Sequence, residues 1–521
     1  MHMVDGTTRG KKDEKEAQMA DTRKPAGHFA TLDSPADTMA ISVNTITEPE
    51  RKTPVAFEAD VVIVGGGPAG TGAALAAARN GAKTILTEQF GYLGGVATNC
   101  LTTVFEGVDF AIYGGIFEEI CKRLKRDGKV LDDTWAAFTF DGEYYKYLLN
   151  NMMEEAGVKL LFHAYGVGAV KEGNTVKGVI IEGKEGRQAV LGKIVIDATG
   201  SADIAWKSGT PCMTEGHPSG RPLGFTWAVM YGGVDIYKLM KLKLEQPEEW
   251  GPPIMAELIR LGGRPILQRG YLWGGQGLVK KGKAGGKLYQ NHENFNMIVM
   301  PGPGRLLVQA LHVSLPKGHH GWRVEDLTYG EVDARKQAWS TYNYLKKNLP
   351  GFENAYIEQT PTHLGMRDTH RILGEYVLKK EDMLQGRAFN DSIAMCNFPE
   401  DIHGPDDGHS GRRDVPPYDI PYRCLVPKDM ENLLAAGSVT STDISVWASS
   451  RNMACSMSTG QAAGTAAALA VRNKVTPRKL DVKLLQQTLR KQRAQIGIKY
   501  VPKGARDAYQ RHIEMIREYG A

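Results

Sequence analysis

The first strongly apolar run of the chain covers residues 61–64 and contains only β-branched side chains. Because both faces of such a run are apolar, it predicts a central strand of a parallel sheet. The alanine-rich stretch that follows predicts a helix beginning near Pro68, and residues 84–88 predict a second strand. Residues 158–163 predict a third parallel strand. This order of elements indicates an α/β protein.

Patterns of period two follow. Three alternating segments between residues 167 and 191 are separated by glycine-containing breaks and predict a small antiparallel meander, with an apolar strand after it at residues 194–196. Alternation at residues 288–299 and 305–313 predicts further β-strands. Antiparallel pairing is therefore expected beside the parallel sheet.

Helical spacing is strongest in the later part of the chain. Residues 332–347 fit an amphipathic repeat and predict a helical hairpin. Residues 431–437 predict a strand ending in glycine, and small residues then recur at helical spacing over residues 449–470. Residues 480–519, rich in Lys, Arg, Gln and Leu, predict a helical tail.

Three glycines, Gly65, Gly67 and Gly70, stand between the first predicted strand and the first predicted helix. Gly65 permits a tight turn, Gly67 lets the backbone approach a pyrophosphate, and Gly70 lets helix and strand pack closely. The phosphates would lie on the amides of the helix that begins near Pro68. Glu88, at the end of the second strand, is placed to bind a ribose hydroxyl. The motif predicts a dinucleotide site, and the alternative is a tight glycine turn without a ligand.

Other segments bring small residues towards the same ligand. Residues 88–98 include Gly94 and Gly95 and predict a flexible loop that folds over a ligand along the strand ends. The strand at residues 194–196 leads into Ala198-Thr199-Gly200, and the strand at 431–437 ends at Gly437. A third βαβ unit, expected soon after the second strand in a nicotinamide-dependent dehydrogenase, does not follow.

Composition excludes little. The chain has 521 residues, 42% hydrophobic and 24% charged, which is typical of a soluble globular protein with two or three domains. A net charge of +5 implies no nucleic-acid partner, and no apolar stretch is long enough to span a bilayer. Six cysteines without CxxC or metal-ligand spacing indicate a reducing, cytoplasmic location. Residues 1–57 are polar and aperiodic, which predicts a disordered or surface-draped tail.

The combination of these segments resembles the FAD-dependent oxidoreductases with the glutathione-reductase-type fold. The chain is more closely similar to a generic FAD-dependent oxidoreductase subgroup, distantly like the fumarate reductase flavoproteins. The segments that carry this closer resemblance are residues 91–98, 365–375, 401–403, 418–427 and 460–464. The resemblance covers most of residues 59–475.

The resemblance implies FAD as the cofactor and an α/β fold. A Rossmann-like FAD-binding domain with three-layer ββα organisation would carry an inserted α+β substrate domain. The implied division is a first FAD-binding part at 58–210 with an insertion at about 100–145, a substrate domain at 211–419, a returning FAD-binding segment at 420–475 and a C-terminal helical tail at 476–521. The implied cofactor-binding residues are Gly65, Gly67, Pro68, Ala69, Gly70, Glu88, Gln89, Gly94, Gly95, Thr98, Ala198, Thr199, Gly200, Gly437, Ser450, Arg451 and Met453.

The best cluster for substrate chemistry comprises His363, Arg367, His370 and Arg371. In a helix these positions share one face, and an arginine fork there would clamp an acidic substrate. A solvated face or a ladder of salt bridges is the alternative. From this cluster, His363, Arg367 and Arg371 are expected to be catalytic.

The remaining candidates are His403, which is a second candidate base, and Arg451. His403 and His409 with nearby aspartates match no particular metal site, so no metal is expected there. Arg423 and Arg451 would approach the flavin or the substrate, where a cation stabilises the reduced flavin. Cys100 is either a redox or flavin-linked cysteine or, preferably, a buried inert thiol.

The expected function is hydride transfer between flavin N5 and a small or medium polar metabolite that bears a hydroxyl or amine. One form of this hypothesis adds a carboxylate to the metabolite. The electron acceptor would be oxygen, a quinone or a protein, and a homo-oligomer is compatible with the tail. Two alternatives stay open: an electron-transfer subunit of a larger complex, and a reductase of a conjugated double bond. The modest charge disfavours an RNA-modifying flavoprotein.

Overall fold

The computed structural model of the chain describes residues 46–133, 138–214, 221–250, 270–316, 319–367, 369–404 and 412–501. The chain divides between Pro49 and Glu50, and all the elements named below belong to the unit Glu50–Ala521. Most of the predicted tail at 1–57 lies outside the described residues. Its end does not, because the first strand begins at Val55.

The strands, in chain order, are β1 Val55–Val64, β2 Thr84–Thr87, β3 Val104–Phe105, β4 Val130–Asp133, β5 Phe138–Phe140, β6 Lys159–Leu161, β7 Tyr165–Glu172, β8 Thr175–Gly183, β9 Gly186–Asp197, β10 Cys212–Met213, β11 Phe225–Gly232, β12 Tyr271–Gly274, β13 Phe295–Val299, β14 Leu306–Val313, β15 Tyr356–Gln359, β16 Arg371–Ile372, β17 Ser392–Cys396, β18 Glu400–Asp401, β19 Arg412–Arg413, β20 Tyr418–Pro421 and β21 Leu433–Ala435. The helices are α1 Pro68–Arg79, α2 Val96–Asn99, α3 Gly115–Arg126, α4 Gly142–Glu155, α5 Asp203–Ser208, α6 Ile236–Glu245, α7 Pro247–Trp250, α8 Gln276–Ala284, α9 Val324–Asn348, α10 Lys380–Leu384, α11 Ile444–Ser450, α12 Met453–Asn473 and α13 Val482–Lys491.

The main sheet has the order β6-β2-β1-β9-β8-β7, and β21 also pairs with β9. Strands β6, β2, β1, β9 and β21 run parallel, whereas β7, β8 and the first half of β9 form an antiparallel meander. In β1, Val61 and Ile63 face one core with the helices, while Val62 and Val64 face the core formed with the meander. The α/β prediction with a three-layer organisation is therefore confirmed.

Helix α12 packs against α1 at backbone distance. A Cβ atom at Gly460 would lie 2.0 Å from the carbonyl oxygen of Ala69, and one at Gly464 would lie 2.0 Å from that of Ala73. Real side chains cannot approach so closely, so both positions require glycine. This contact places the start of α12 beside the glycine turn that follows β1.

A second, five-stranded antiparallel sheet has the order β12-β13-β14-β11-β15. One of its faces packs on α9 around Trp227 and Phe295. Its other face packs Ala228, Met230 and Ile298 against the segment that carries Leu101 and Val104. The inserted α+β architecture is thus present, and its sheet lies over the loop that follows the first βαβ unit.

Several boundaries differ from the sequence predictions. The predicted hairpin at 332–347 is wrong: α9 is one helix, because no Gly or Pro interrupts residues 331–349. The third meander segment and the strand at 194–196 are one strand, β9. The helix predicted at 449–470 is divided where Asn452 caps α12.

Strand β13 begins at Phe295 rather than at residue 288. The reason is that the amides of Tyr289 and Asn291 donate to side chains of α9, namely Ser340 and Gln337, instead of to a strand. Part of the predicted tail helix is present as α13, and residues 502–521 lie outside the described part of the chain. Among the described residues, no helix is both long and apolar enough to cross a membrane.

Candidate functional site

The glycine turn after β1 is closed by backbone packing. Gly65 has a φ of +98°, and a Cβ atom there would lie 2.4 Å from the carbonyl oxygen of Ala198. A Cβ atom at Gly70 would lie 1.7 Å from the carbonyl oxygen of Gly65. The turn therefore holds the end of β1, the first turn of α1 and the end of β9 together.

The N-terminus of α1 begins with Gly67 as its N-cap residue and Pro68 after it. In the described part of the chain, no side-chain cap hydrogen bond to its first-turn amides is seen. A Cβ atom at Gly95 would lie 2.7 Å from Cα of Gly67, so the loop carrying Gly94 and Gly95 lies directly on this N-terminus. Uncapped amides at a helix N-terminus are suited to a phosphate group.

Glu88 lies at the end of β2 and is almost fully buried. Its Oε2 accepts from the amide of Gly66 at 2.6 Å, and its Oε1 accepts from the amide of Phe90 at 2.9 Å. Burial raises the pKa of Glu88, although these hydrogen bonds oppose the shift. The carboxylate is thus fixed beside the glycine turn, where the sequence motif expects a ribose. Gln89, next to it, is exposed.

The segment Ala198-Thr199-Gly200 is positioned by Asp197. The fully buried carboxylate of Asp197 accepts from Thr199 and from the amides of Ile204 and Ala205, which caps α5. The carbonyl oxygen of Gly200 accepts from Oγ1 of Thr369 at 3.0 Å. This ties the end of β9 to the segment that contains the candidate arginines.

The returning segment reaches the same place. Gly437 has a φ of +82°, and a Cβ atom there would lie 2.7 Å from Cβ of Ala69. Ser450 and Met453, at the junction of α11 and α12, are buried. Oγ1 of Thr98 donates to the carbonyl oxygen of Leu93 at 2.9 Å and so shapes the glycine loop.

These residues fit a dinucleotide. Uncapped amides, glycines in close contact and a fixed carboxylate supply the groups that a pyrophosphate and a ribose require. Two buried atoms, Oδ1 of Asn99 at the end of α2 and Nε of Arg451 between α11 and α12, have no hydrogen-bond partner in the described part of the chain. Polar atoms of this kind are suited to a polar ring system.

A second group of polar residues surrounds Asp401. Its Oδ2 accepts from Nε2 of His403 at 2.8 Å and from Nη2 of Arg451 at 3.0 Å. Burial alone would raise the pKa of Asp401, but His403, Arg451 and Arg367 together hold it well below its ordinary value. Asp401 is therefore ionised and can only accept hydrogen bonds.

His403 is neutral near pH 7. Burial, assisted by the charge of Arg367, lowers the pKa of His403 to about 4, although Asp401 opposes the shift. Because Asp401 is an acceptor, the ring proton lies on Nε2 and the lone pair lies on Nδ1. This is the protonation state that a general base needs.

Arg367 lies beside this pair. Its Nη1 donates to the carbonyl oxygen of Gly224 and lies 3.4 Å from Nε2 of His312, whose ring packs at 5.0 Å on that of His403. Burial and the charge of Arg451 lower the pKa of Arg367 to about 9. The guanidinium is anchored at one nitrogen, and no other hydrogen bond to it is seen among the described residues.

The predicted helix carrying His363, Arg367, His370 and Arg371 is wrong. The segment is irregular, and only Arg371 belongs to a short strand, β16. The four side chains therefore do not share one face. Their backbone is held instead by pairing with other segments, such as Thr226 with Gly365.

The other members of the predicted cluster have described contacts with residues other than Asp401, although Arg371 and Arg451 both lie over the ring of Trp447. His363 bonds to the carbonyl oxygen of Leu364 and packs against Phe90 of the glycine loop. Arg371 is buried, and its Nε donates to the carbonyl oxygen of Thr442 at 3.1 Å. His370 is stacked between Trp206 and Trp322.

Two further candidates, Arg423 and Cys100, are held by contacts within the protein. Arg423 pairs with Asp391 through two hydrogen bonds at the surface, so it does not join the Asp401 group. Cys100 is buried, its Sγ donates to the carbonyl oxygen of His363, and burial raises the pKa of its thiol to about 12. No group of His, Cys, Asp or Glu side chains suited to a metal is seen among the described residues, which exclude His409.

Sequence reasoning missed Glu106 and Tyr271. Both lie beside the Asp401 group, and both carboxylates, Glu106 and Asp401, act on the electrostatics of Tyr271. Glu106 follows the two-residue strand β3, and Tyr271 lies on an edge strand of the second sheet. No motif marks either residue, because only the packing of the second sheet over the loop brings them to the site.

Comparison with known proteins gives a family and a distant structural likeness. The family described as FAD dependent oxidoreductase matches residues 60–489. No curated protein sequence matches the chain. Among solved structures, the chain is similar to a geranylgeranyl bacteriochlorophyll reductase-like protein from Thermoplasma acidophilum, with 13% identity, 89% of this chain and 96% of that chain covered, and a TM-score of 0.42.

Two other solved structures show the same level of likeness. For a p-nitrophenol 4-monooxygenase from Pseudomonas putida the identity is 10%, the coverage is 83% of this chain and 84% of that chain, and the TM-score is 0.42. For a myxobacterial chondrochloren halogenase the identity is 12%, the coverage is 88% of this chain and 90% of that chain, and the TM-score is 0.42. These likenesses are too distant to carry an inference about the substrate. The family match, which covers most of the chain, shows that this protein belongs to the FAD-dependent oxidoreductases and that its cofactor is FAD.

Proposed function

We propose that this enzyme oxidises a small or medium polar metabolite at a carbon that bears a hydroxyl or amine, and that the same metabolite carries an anionic group. FAD, when bound, supplies the acceptor for the hydride that leaves this carbon. The observation that carries the proposal is the hydrogen-bonded arrangement of His403, Asp401 and Arg451, with Arg367 beside it.

His403 is the proposed base. With Nε2 held by Asp401, its Nδ1 lone pair takes the proton of the substrate O–H or N–H. As that proton leaves, the hydride leaves the adjacent carbon, and a C=O or C=N double bond forms. Asp401 keeps the ring oriented and stabilises the imidazolium that results, the role of a carboxylate behind a catalytic histidine.

Arg367 is the proposed anchor for the substrate anion. One of its nitrogens is fixed by Gly224 and His312, which orients the guanidinium plane. An arginine held in this way binds a carboxylate through two parallel hydrogen bonds. Arg451 is paired with Asp401 and lies next to the N-cap of α12, so its proposed role is to fix that carboxylate and to place positive charge near the cofactor.

The cofactor residues named from the sequence are proposed to hold FAD in two groups. The glycines of the first turn and loop, with Pro68, Ala69 and Glu88, would bind the ADP half. The segments at 198–200, 437 and 450–453 would lie along the flavin half. The sheet β12-β13-β14-β11-β15 is proposed as the substrate domain.

Anaerobic reduction of the bound FAD tests this function. Hydroxy acids and amino acids are added to the oxidised holoenzyme, and loss of the flavin absorbance is followed. We expect at least one of these acids to bleach the flavin. The variant His403→Gln is expected to keep its FAD, but its flavin should bleach about 100-fold more slowly. Full-speed bleaching in His403→Gln would remove the base assignment. Bleaching by a protein partner alone would favour an electron-transfer subunit.

A further inference from the structure

Glu106 is held beside the Asp401 group by its own backbone. Its carbonyl oxygen accepts from Nδ2 of Asn452 at 3.1 Å, and Asn452 follows Arg451 directly. On its other side, Glu106 is two residues from Val104, which packs against the second sheet. These two contacts place Glu106 between the start of α12 and the proposed substrate domain.

The carboxylate of Glu106 is buried deeply by surrounding atoms, yet its side chain keeps part of its surface accessible. Among the described residues, no donor hydrogen bonds to it and no cation lies within ion-pair distance. Burial raises the pKa of Glu106, Asp401 adds to this shift, and the charges of Arg412, Arg451 and Arg367 oppose it. A carboxylate in such surroundings is costly unless it gains a partner.

Among the described residues of the site, Arg367, Arg412 and Glu106 are ionisable side chains without an ion-pair partner. Asp401 is paired with Arg451 at 3.0 Å. Arg367 and Glu106 act on each other's electrostatics, but they do not form an ion pair among the described contacts. Each has the groups to bind one end of a ligand: the guanidinium binds an anion, and the carboxylate binds an ammonium group.

The wall between them is polar as well. Tyr271 lies on β12, and the side chain of Asn296 on the neighbouring strand β13 acts on the electrostatics of its hydroxyl. Asn296 is two residues from Ile298, so both are on the sheet face that packs towards Val104. Phenol and amide groups tolerate a charged ligand without adding a competing charge.

We infer that the substrate is a zwitterion, such as an amino acid, whose carboxylate is bound by Arg367 and whose ammonium group is bound by the carboxylate of Glu106. This inference rests on the proposed function and narrows its substrate class. A hydroxy acid would satisfy Arg367 and His403 but would leave Glu106 without a charged partner. The site therefore discriminates against ligands that lack an amine, because they leave the buried carboxylate of Glu106 without a partner.

The test uses three isosteric ligands that have no hydrogen on the α carbon and therefore cannot lose a hydride there. They are α-aminoisobutyrate, 2-hydroxyisobutyrate and pivalate, which differ only in carrying ammonium, hydroxyl or methyl. Binding to the FAD-loaded full chain is measured by calorimetry and by perturbation of the flavin absorbance. We expect α-aminoisobutyrate to bind at least about tenfold more tightly than pivalate.

Variants assign the preference to Glu106. Glu106→Gln is expected to remove most of the preference while pivalate binds as before, and Glu106→Asp is expected to retain it because the charge remains. Glu172→Gln, at an exposed carboxylate, is the matched control and should change neither the preference for α-aminoisobutyrate nor the affinity for pivalate. Equal binding of the three ligands, binding of none, or an unchanged preference in Glu106→Gln would overturn the inference.

Failure of the proposed function gives a different result. In that case α-aminoisobutyrate still binds preferentially, but amino acids that do carry an α hydrogen leave the bound FAD oxidised. If amino acids bleach the flavin and Glu106→Gln keeps the preference, the oxidation stands and the role of Glu106 is wrong.

Discussion

The amide of Gly66 donates a 2.6 Å hydrogen bond to Oε2 of Glu88. This bond joins the glycine turn after β1 to the end of β2, so the two parts of the nucleotide motif are held as one unit before any ligand is considered. Phe90 holds the other oxygen at 2.9 Å. The carboxylate therefore has a fixed direction, and its replacement has a defined effect.

Glu88→Gln is expected to weaken FAD binding about tenfold, because an amide nitrogen would face the donor of Gly66 or of Phe90. The affinity is measured by titrating the deflavinated protein with FAD and following quenching of flavin fluorescence. Glu172→Gln serves again as the exposed control. Unchanged FAD affinity in Glu88→Gln would mean that these two hydrogen bonds do not shape the cofactor site.

Gly460→Ala is expected to destabilise the protein by about 2 kcal/mol or more, because the new methyl group would meet the backbone of Ala69 and force the helices apart. Thermal unfolding of the holoenzyme measures the effect. Gly168→Ala, whose Cβ would meet Ile180 at an ordinary 3.7 Å, is the matched control and should change stability little. Equal stability of the two variants would contradict the close packing of α12 on α1.

The rate of flavin reduction is expected to fall with decreasing pH through about 4, where His403 titrates, and to be independent of pH from there up to about 9, where Arg367 titrates. The rate falls on acidification because the neutral ring of His403 is the base and protonation removes its lone pair. Asp401→Asn should lower the rate about 100-fold, since the amide NH2 can donate to the ring and favour the wrong tautomer, and the charge that stabilises the imidazolium is lost. Stopped-flow reduction across pH checks both statements, and a rate that rises on acidification would contradict them.

Arg367 and Arg371 are expected to respond differently to substitution. Arg371→Ala should lower the free energy of unfolding by about 3 kcal/mol, because a buried side chain bonded to Thr442 is lost. Arg367→Lys should fold and bind FAD but should raise KM about tenfold, because lysine lacks the fork. Melting temperature and steady-state kinetics separate the two effects. A stable Arg371→Ala with a raised KM would return Arg371 to the substrate site.

Cys100 is expected to resist alkylation in the native protein at pH 8, because its thiol is buried and its pKa is raised to about 12. Labelling with iodoacetamide followed by peptide mass spectrometry measures this. The same cysteine in the unfolded protein should be labelled fully. Rapid labelling of Cys100 in the native protein would reopen the redox interpretation.

The sequence predicted those parts of the fold that depend on local patterns. The run at residues 61–64, the turn Gly65–Gly70 and the helix from Pro68 need only neighbouring residues, and all three are present. The predicted ends of the strands were wrong where side chains distant in sequence, and not neighbouring strands, accept the backbone hydrogen bonds. Tyr289 is an example, since Ser340 of α9 takes its amide.

The candidate site was predicted less well for the same reason. Arg367, Arg371 and His363 are close in sequence, but without a helix to align them they reach different surroundings. His403 and Arg451 meet at Asp401 across about fifty residues of sequence, a contact that no local spacing encodes. Glu106 joins them only through the folded return of α12.

The contact of Gly460 and Gly464 with Ala69 and Ala73 also sets an order of events during synthesis. The turn that is proposed to bind the pyrophosphate is made before the helix that packs behind it, which follows almost four hundred residues later in the chain. An arrested nascent chain ending before β21 would lack both that helix and the fifth parallel strand. Such a chain has the nucleotide motif without the helix that packs behind it, so stable uptake of the flavin must wait until α12 has been made.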